Sequence, residues 1–138
     1  MSIAPRIIFY DIIFIVNKIF VVHEHHASHL HWDLRLEENG VLISFALPKE
    51  PPLEHGKRNL AIKVEDHPLS YANFEGIIPE GHYGAGTVKI WDNGTYRTIK
   101  KDNSKYILNF NGEKMDGEYT LLKFDKAGEN HWLFFKNK

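Results

Sequence analysis

The chain has 138 residues, with 17 Lys and Arg against 18 Asp and Glu, and no cysteine. A chain of this length predicts one domain. Because the charges nearly cancel, binding of nucleic acid through an overall positive field is excluded, and any nucleic-acid contact has to be local. Without cysteine there is no disulfide, thiolate nucleophile or thiolate metal site, so a bound metal needs imidazole and carboxylate ligands. This composition fits an intracellular protein, and we expect it in the cytoplasm.

The N-terminal run "IIFYDIIFIVNKIF" is apolar but is interrupted by Asp11. Its apolar stretch is shorter than the roughly 20 residues needed to cross a bilayer, and no small-residue cleavage site follows it. We therefore expect neither a membrane anchor nor a signal peptide. Residues 1–18 are interpreted as an apolar segment that is packed or poorly ordered, and residues 19–138 as the folded domain.

After this segment, short runs rich in Ile, Val, Phe, Tyr, Trp and Thr are separated by Gly and Pro, which is typical of a mainly β domain. The pattern predicts strands at residues 19–23, 30–37, 41–47, 59–65, 86–91, 95–99, 107–110, 118–124 and 131–136. Asn39-Gly40 predicts a tight hairpin turn, and "DNG" at 92–94 predicts another. We expect a single-domain β-barrel, or a sandwich, of about eight short strands with few or short helices.

The predicted strand "LHWDLRLE" has two chemically different faces, since side chains alternate along a strand. Alternation predicts an apolar face made of Leu30, Trp32, Leu34 and Leu36. It predicts a polar face made of His31, Asp33 and Arg35. An ordinary half-exposed strand also alternates, but the identity of these three polar residues favours a functional site.

His31 and Asp33, joined by His25 from just before the strand, can supply two imidazoles and one carboxylate to a divalent metal. Such a site leaves coordination positions open for water or a substrate oxygen. Arg35 adds a planar donor fork suited to a phosphate or carboxylate, which a purely structural metal site would not need.

The other histidines of "HEHHASHLHWDLRL" are not all expected to be ligands. His23 shares a face with His25 in an extended segment and could support the site. His26 and His29 are interpreted as solvent-facing residues.

A second candidate group lies in "VEDHPLSYANFEG", where Glu65, Asp66, His67 and Tyr71 surround a proline. A polar turn is the favoured interpretation of this stretch when it is taken alone. Together with the first group, a protonated His67 could bind an anion and pass a proton to a leaving oxygen, with Tyr71 orienting it.

The glycine-rich stretch "GHYGAGTVKI" does not match a phosphate-binding loop, because it lacks the Gly-Lys-Ser/Thr ending and runs into a strand. Its glycines predict a tight turn or bulge at a barrel rim, with His82 and Tyr83 near the mouth. No serine nucleophile motif is present in the sequence.

Three segments together resemble the 3′-phosphoesterase domain of bacterial DNA ligase D and its free-standing archaeal relatives. They are "FVVHEHHASHLHWDLRLEENGVLISFALPKEP", "LAIKVEDHPLSYANFEGIIPEGHYGAGTVKIWDNGTY", and "GEYTLLKF" with "HWLFFK". The resemblance covers Phe20 to about Lys136, and its motifs are long and ordered.

The resemblance implies a β-barrel enzyme that uses Mn²⁺, or another divalent ion such as Co²⁺ or Zn²⁺, to process DNA 3′ ends for repair. It implies removal of a terminal 3′-phosphate, and in some members of a 3′ ribonucleoside, leaving a 3′-hydroxyl for a separately encoded ligase or polymerase. The implied metal ligands are His25, His31 and Asp33. The implied phosphate-binding and catalytic residues are Arg35 and His67, with Tyr71 in support. Weaker substrate-binding roles are implied for His23, Lys49 and Glu65.

Two departures from the family pattern bear on this expectation. Family members often carry Gln where this chain has His23, which predicts an added ligand or a different contact behind the metal ligands. The apolar residues 1–18 do not resemble the polar N-terminal arm that contributes to ribonucleoside removal, so phosphate removal is favoured over it.

Two other functions fit part of the same pattern. Two histidines and a carboxylate on a β-barrel are also the ligands of a cupin-type Fe(II) oxygenase. A non-catalytic module that binds DNA ends would need the phosphate-binding residues without the hydrolysis. Arg35 and His67 suit phosphate better than dioxygen.

Overall fold

A computed structural model describes residues 17–138, which form nine β-strands and one short 3₁₀ helix, Leu69–Asn73. The strands are β1 (Lys18–His26), β2 (Leu30–Glu38), β3 (Val41–Leu47), β4 (Asn59–Pro68), β5 (Gly76–Ile78), β6 (Gly86–Lys101), β7 (Lys105–Gly112), β8 (Asp116–Lys123) and β9 (His131–Lys136).

The strands close into an antiparallel barrel, which confirms the predicted fold class. Neighbours follow the order β1-β2-β3-β4-β9-β8-β7-β6, and pairing of β6 with β1 closes the ring of eight. The ninth strand, β5, pairs with Gly86 to Val88 of β6, beyond the part of β6 that pairs with β7. Closure leaves no free edge within the ring of eight strands.

The barrel interior is an apolar core to which most strands contribute every second residue. Phe110 lies among other aromatic rings there, with edge-on contacts to Phe20 and Tyr119 at centroid distances of 4.9 and 5.3 Å. The buried members of this core are Phe20, Val22, Leu34, Leu36, Phe45, Leu47, Ala61, Tyr96, Leu108, Phe110, Met115, Tyr119, Leu121, Trp132 and Phe134.

A second, smaller core lies on the outer face of the barrel. Val21 of β1 and Leu42 of β3 alternate with residues that point inward, and they pack against Ala72 of the 3₁₀ helix. The helix is thereby held against the outside of the first strands. The polar residues that share this outer face are therefore partly enclosed, although they lie outside the barrel.

The two predicted hairpin turns have different outcomes. Asn39 and Gly40 have φ values of 51° and 84° in the turn between β2 and β3, as predicted. The turn predicted at 92–94 is wrong, because these residues lie inside the continuous strand β6. The Asp92 carboxylate is buried and accepts backbone N–H groups of Glu113 and Met115, so it fixes the neighbouring β7–β8 turn instead.

Several predicted strand limits also change. The strands predicted at 86–91 and 95–99 are one strand, and most others extend by one to three residues, because barrel pairing continues past the apolar runs. Leu30, predicted on the apolar face of β2, is 44% exposed at the start of the strand. Leu34 and Leu36 are buried inside the barrel as predicted.

The prediction for residues 1–18 lies almost wholly outside the described residues, which begin at 17. Strand β1 starts at Lys18, one residue before the predicted domain start. Among residues 17–138, no helix is long and apolar enough to cross a membrane.

Gly94 is expected to be intolerant of any side chain. A Cβ at this position would collide with the backbone carbonyl of Asn111 on β7. Gly94→Ala should therefore lower the free energy of unfolding by roughly 2 to 4 kcal/mol, the range for forced overpacking and backbone displacement.

The matched control is Gly56→Ala, since a Cβ at Gly56 meets nothing within 4 Å and its φ of +100° adds only local backbone strain. That variant should lose about 1 kcal/mol. Urea denaturation of both variants measures the difference, and equal losses would contradict the close packing of β6 on β7.

Candidate active site

Strand register brings the polar residues of β1, β2 and β3 to one outer face. His25 lies opposite His31, and His23 lies opposite Asp33, in the β1–β2 ladder. Arg35 lies opposite Ser44 in the β2–β3 ladder. Because directly opposed residues of antiparallel strands point to the same side, this register gathers the imidazoles, the carboxylate and the guanidinium.

A bulge in β4 adds His67 to this face. Ser44 pairs with Val64, but Leu42, two residues earlier on β3, pairs with His67 instead of residue 66. The extra residue shifts the alternation of β4, so that His67 points to the outer face at this position. Without the bulge, Asp66 would lie opposite Leu42 in place of His67.

His25, His31 and Asp33 bring three possible ligand atoms together. His31 Nε2 lies 3.2 Å from Asp33 Oδ2, His25 Nδ1 lies 3.7 Å from the same oxygen, and the two ring nitrogens are 3.2 Å apart. Ligand atoms that lie about 2.1 Å from one shared ion are roughly 3.0 to 3.4 Å from each other. His25, His31 and Asp33, called the triad below, therefore fit a divalent ion with little movement.

The hydrogen bonds of the two imidazoles support this fit. His25 Nε2 donates to the Gly84 carbonyl at 2.7 Å, and His31 Nδ1 donates to the His29 carbonyl at 3.0 Å. Each ring therefore points its other nitrogen at Asp33, and lone pairs that converge in this way require a proton or a cation between them. The hydrogen bond with Asp33 accordingly raises the pKa of His31.

Asp33 is held ionised at the centre of the face. Burial by itself would raise the pKa of this carboxyl, but the hydrogen bond from His31 and the charge of Arg35 bring the pKa below its usual range. The carboxylate is 5% exposed and contacts Arg35 Nη2 at 3.4 Å through the same Oδ2 that faces the imidazoles. Asp33 thus links the triad to Arg35.

Arg35 is a buried guanidinium, 4% exposed, whose donors are almost all fixed. Nε donates to His23 Nδ1 at 3.0 Å, and Nη1 donates to Ser44 Oγ at 2.9 Å and contacts His67 Nδ1 at 3.0 Å. Because each terminal nitrogen of a guanidinium carries two protons, Nη2 keeps one N–H beyond its long contact with Asp33. The fork is rigid before any ligand binds.

His23 orients Arg35 and is not part of the triad. Its Nδ1 accepts from Arg35, so its proton lies on Nε2, which donates to the Phe74 carbonyl at 3.1 Å. Burial, reinforced by the Arg35 charge, lowers the pKa of His23 to about 4. The side chain is fully buried and neutral, and the alternative of an added metal ligand is not borne out by its position.

The surroundings of His67 favour the neutral imidazole over the protonated form expected from the sequence. Burial lowers the pKa of His67, and the nearby Arg35 charge lowers it further. Since Arg35 has no acceptor, its Nη1 donates to His67 Nδ1, and the imidazole proton lies on Nε2. His67 therefore offers a hydrogen-bond donor and not a positive charge.

Tyr71 lies in the 3₁₀ helix and packs against Arg35 and His67. The Arg35 guanidinium lies 5.0 Å from the centre of the Tyr71 ring, and the His67 ring lies 4.9 Å from it. Phe74 stacks on Tyr71 at 5.0 Å with an interplanar angle of 13°. Tyr71 thus packs against both Arg35 and His67.

All six residues predicted as metal ligands or catalytic groups line one cavity of about 250 Å³. Its lining includes His25, His31, Asp33, Arg35, His67 and Tyr71. Glu65 also lines this cavity, whereas exposed Lys49 lies in a separate depression beside Pro51 and Pro52. The structure therefore brings Glu65, but not Lys49, to the site.

Ser44 and Gly84 belong to the site but were not predicted as site residues, and Tyr83 was predicted only near the mouth of the barrel. Ser44 is a single buried hydroxyl in the apolar strand "VLISFAL", and that isolated polarity was the available signal. Gly84 acts through its backbone carbonyl, which no side-chain pattern reveals. Tyr83 lines the cavity, while neighbouring His82 does not, so only half of the predicted rim pair reaches the site.

His26 and His29 are exposed, as expected. His26 Nε2 pairs with Glu24 Oε2 at 2.6 Å, away from the triad. His29 contributes only its backbone carbonyl to His31. Of the five histidines in this stretch, two therefore belong to the triad and one, His23, lies behind Arg35.

The fold and the site define a class of protein: an antiparallel barrel with a rigid arginine fork and an imidazole–carboxylate triad on its outer face. Residues 23–123 match the family model described as the DNA ligase D 3′-phosphoesterase domain. The chain belongs to this family, which confirms the resemblance seen in its sequence.

Similar proteins include three that are named multifunctional non-homologous end joining protein LigD. The protein from Mycolicibacterium smegmatis is 44% identical over 133 residues, covering 88% of this chain and 17% of the relative. The Mycobacterium bovis protein is 46% identical over 123 residues, covering 86% of this chain and 16% of the relative. The Pseudomonas aeruginosa protein is 44% identical over 125 residues, covering 86% of this chain and 15% of the relative. The chain thus spans about one sixth of the length of these relatives.

His23 is expected to make the metal-free protein sensitive to mild acid. The unfolded chain takes up this proton near pH 6.5 and the folded chain only near pH 4, so the unfolded state binds more protons between these values. Stability should therefore fall as pH drops through this window, by on the order of 3 kcal/mol from His23.

His23→Gln tests this effect, because the Gln amide can accept from Arg35 and donate to Phe74 without titrating. Urea denaturation in the presence of EDTA measures the free energy of unfolding. Between pH 7 and pH 4 this free energy should fall less in the variant than in the wild type. A stability difference that stays constant with pH would refute the assignment of a neutral, buried His23.

Proposed function

We propose that this protein is a divalent-metal-dependent 3′-phosphoesterase that removes a terminal 3′-phosphate from DNA and leaves a 3′-hydroxyl. The observation that carries the proposal is the position of Asp33 Oδ2. This oxygen faces both imidazoles of the triad and also contacts Arg35 Nη2. The cation-binding triad and the anion-binding guanidinium are therefore adjacent, with Asp33 Oδ2 in contact with both. A phosphate that bridges a cation and a guanidinium fits that spacing.

Membership of the 3′-phosphoesterase family supports a DNA 3′ end as the substrate. The relatives are named for non-homologous end joining, and we infer that this chain also prepares ends in that kind of repair. DNA ligase and polymerase activities are the partners that would use the 3′-hydroxyl.

The donor set of the triad suits Mn²⁺, with Co²⁺ and Zn²⁺ as further candidates, because imidazole and carboxylate bind all three. His25, His31 and Asp33 would hold the ion. When bound, a divalent ion supplies Lewis-acid polarisation of a phosphate oxygen and lowers the pKa of a bound water.

Arg35 contributes to the reaction as a fixed donor to the phosphate. Beyond its contact with Asp33, Nη2 keeps one N–H, and it belongs to a guanidinium that lines the cavity and that His23 and Ser44 hold in place. Preorganised donors stabilise charge that develops on phosphate oxygens without the free-energy cost of reorientation. The positive charge of Arg35 also offsets the charge of Asp33 near an incoming dianion.

His67 contributes a neutral Nε2–H to the same phosphate. Arg35 fixes this tautomer through Nδ1, and Tyr71 packs against the ring. A neutral imidazole donates a hydrogen bond to a phosphate or leaving oxygen and so stabilises the negative charge that develops there. Attack by water is the simplest scheme, since the sequence offers no serine or cysteine nucleophile motif.

An Fe(II) oxygenase is the competing enzyme class for the same triad. The Arg35 fork and the His67 donor beside the triad favour an oxyanion over dioxygen as the group bound there. A non-catalytic end-binding module would keep both groups, and only turnover distinguishes it from the phosphoesterase.

Incubation of a 3′-phosphorylated primer-template with Mn²⁺ is the direct test. Gel analysis should show conversion to a 3′-hydroxyl end that a polymerase extends, and EDTA should abolish the conversion. Conversion should proceed equally without O₂. Tight binding of the DNA end with no phosphate release would contradict the proposal and favour the binding module, and a parallel substrate with a 3′ ribonucleoside tests the second activity.

Arg35→Lys should lose at least about a hundredfold in kcat, because an ammonium replaces the planar fork that aims at the phosphate. His67→Ala should lose a comparable factor through the missing Nε2–H donor. His26→Asn is the matched control, since His26 is an exposed histidine outside the cavity. Near-wild-type turnover in either site variant, with folding checked by thermal melting, would exclude the assigned roles.

A further inference from the structure

Tyr83 is an exposed aromatic residue at the rim of the active-site cavity. It lines the cavity, yet it is 83% exposed, the highest exposure among the large apolar and aromatic side chains of the described residues. It lies between β5 and β6, directly before Gly84, whose carbonyl accepts the proton of His25 Nε2. The ring thus stands beside the triad without being part of it.

Tyr83 differs from the other tyrosine of the cavity in having free ring faces. The Tyr71 ring is covered by Phe74, at 5.0 Å, and by the Arg35 guanidinium, at 5.0 Å. Within the part of the chain that the structure describes, Tyr83 makes no aromatic or cation–π contact. Its ring surface is therefore available to a ligand, whereas that of Tyr71 is used for packing.

Tyr83 is also uncharged. Interaction of its hydroxyl with the Glu65 side chain, which lines the same cavity, raises the pKa of Tyr83. A neutral ring does not repel DNA phosphates.

We infer that Tyr83 stacks against the nucleobase of the 3′-terminal nucleotide and so selects a nucleic-acid end over other phosphate monoesters. The inference rests on the proposed function, because it places the terminal phosphate at Arg35 and His67. A base attached to that phosphate then lies at the cavity rim, where the Tyr83 ring is exposed. Stacking of a base on an aromatic side chain gives about tenfold or more in affinity and tolerates any base.

Steady-state kinetics with two DNA ends test the inference. One oligonucleotide carries a 3′-phosphate on an ordinary terminal nucleotide, and the other carries it on an abasic terminal sugar. Tyr83→Ala should raise KM about tenfold on the ordinary end, with kcat within a factor of two, and should match the wild type on the abasic end. Tyr83→Phe keeps the ring and loses only the hydroxyl, so it should stay close to wild type on both ends.

A binding measurement makes the result independent of turnover. With 2-aminopurine as the terminal base, stacking on Tyr83 should quench the fluorescence of this base when the 138-residue chain binds. Quenching should persist in Tyr83→Phe and disappear in Tyr83→Ala. Mn²⁺ titration of the alanine variant should match the wild type, which shows that the Gly84 carbonyl still holds His25.

The outcomes separate this inference from the proposed function. Equal KM changes on both ends, or no quenching by the wild type, would overturn the role of Tyr83 even if phosphate is released normally. Quenching that depends on Tyr83 without any phosphate release would support the stacking role while refuting the phosphoesterase proposal.

Discussion

The contact between Asp33 and the buried Arg35 is the interaction on which the site depends. A guanidinium that is 4% exposed is stable only if its charge and donors are matched, and Asp33, His23, Ser44 and His67 supply those partners. Through these contacts, Arg35 also fixes the positions of the four partner side chains. The same carboxylate oxygen faces the triad, so one buried ion pair positions both halves of the cavity.

The barrel makes this burial possible on its outer side. Its interior is filled by apolar residues and leaves no room for a polar cluster. The 3₁₀ helix packs Ala72 against Val21 and Leu42, and it places Tyr71 over Arg35. A short helix on the outside of three strands thus provides the low-exposure environment in which a donor fork and a carboxylate act strongly on one ligand.

Local sequence predicted much of this arrangement because strand alternation is a strict rule. The apolar interior of β2 and the shared face of His31, Asp33 and Arg35 followed from a period of two. The merging of two predicted strands into β6 did not, because "DNG" satisfies local turn rules. It lies within a strand because pairing with β1 and β7, and the bonds that the buried Asp92 makes, outweigh that local preference.

The sequence by itself determined the β class, the residue types of the site and the face on which β2 carries them, because these depend on neighbours one or two positions apart. Only the tertiary structure decided that a bulge turns His67 toward Arg35 and that His23 supports the guanidinium. It also decided that Lys49 stays outside the cavity while Tyr83 reaches its rim. These placements depend on pairings between residues distant in the chain, and register, bulges and packing are not encoded in any single segment.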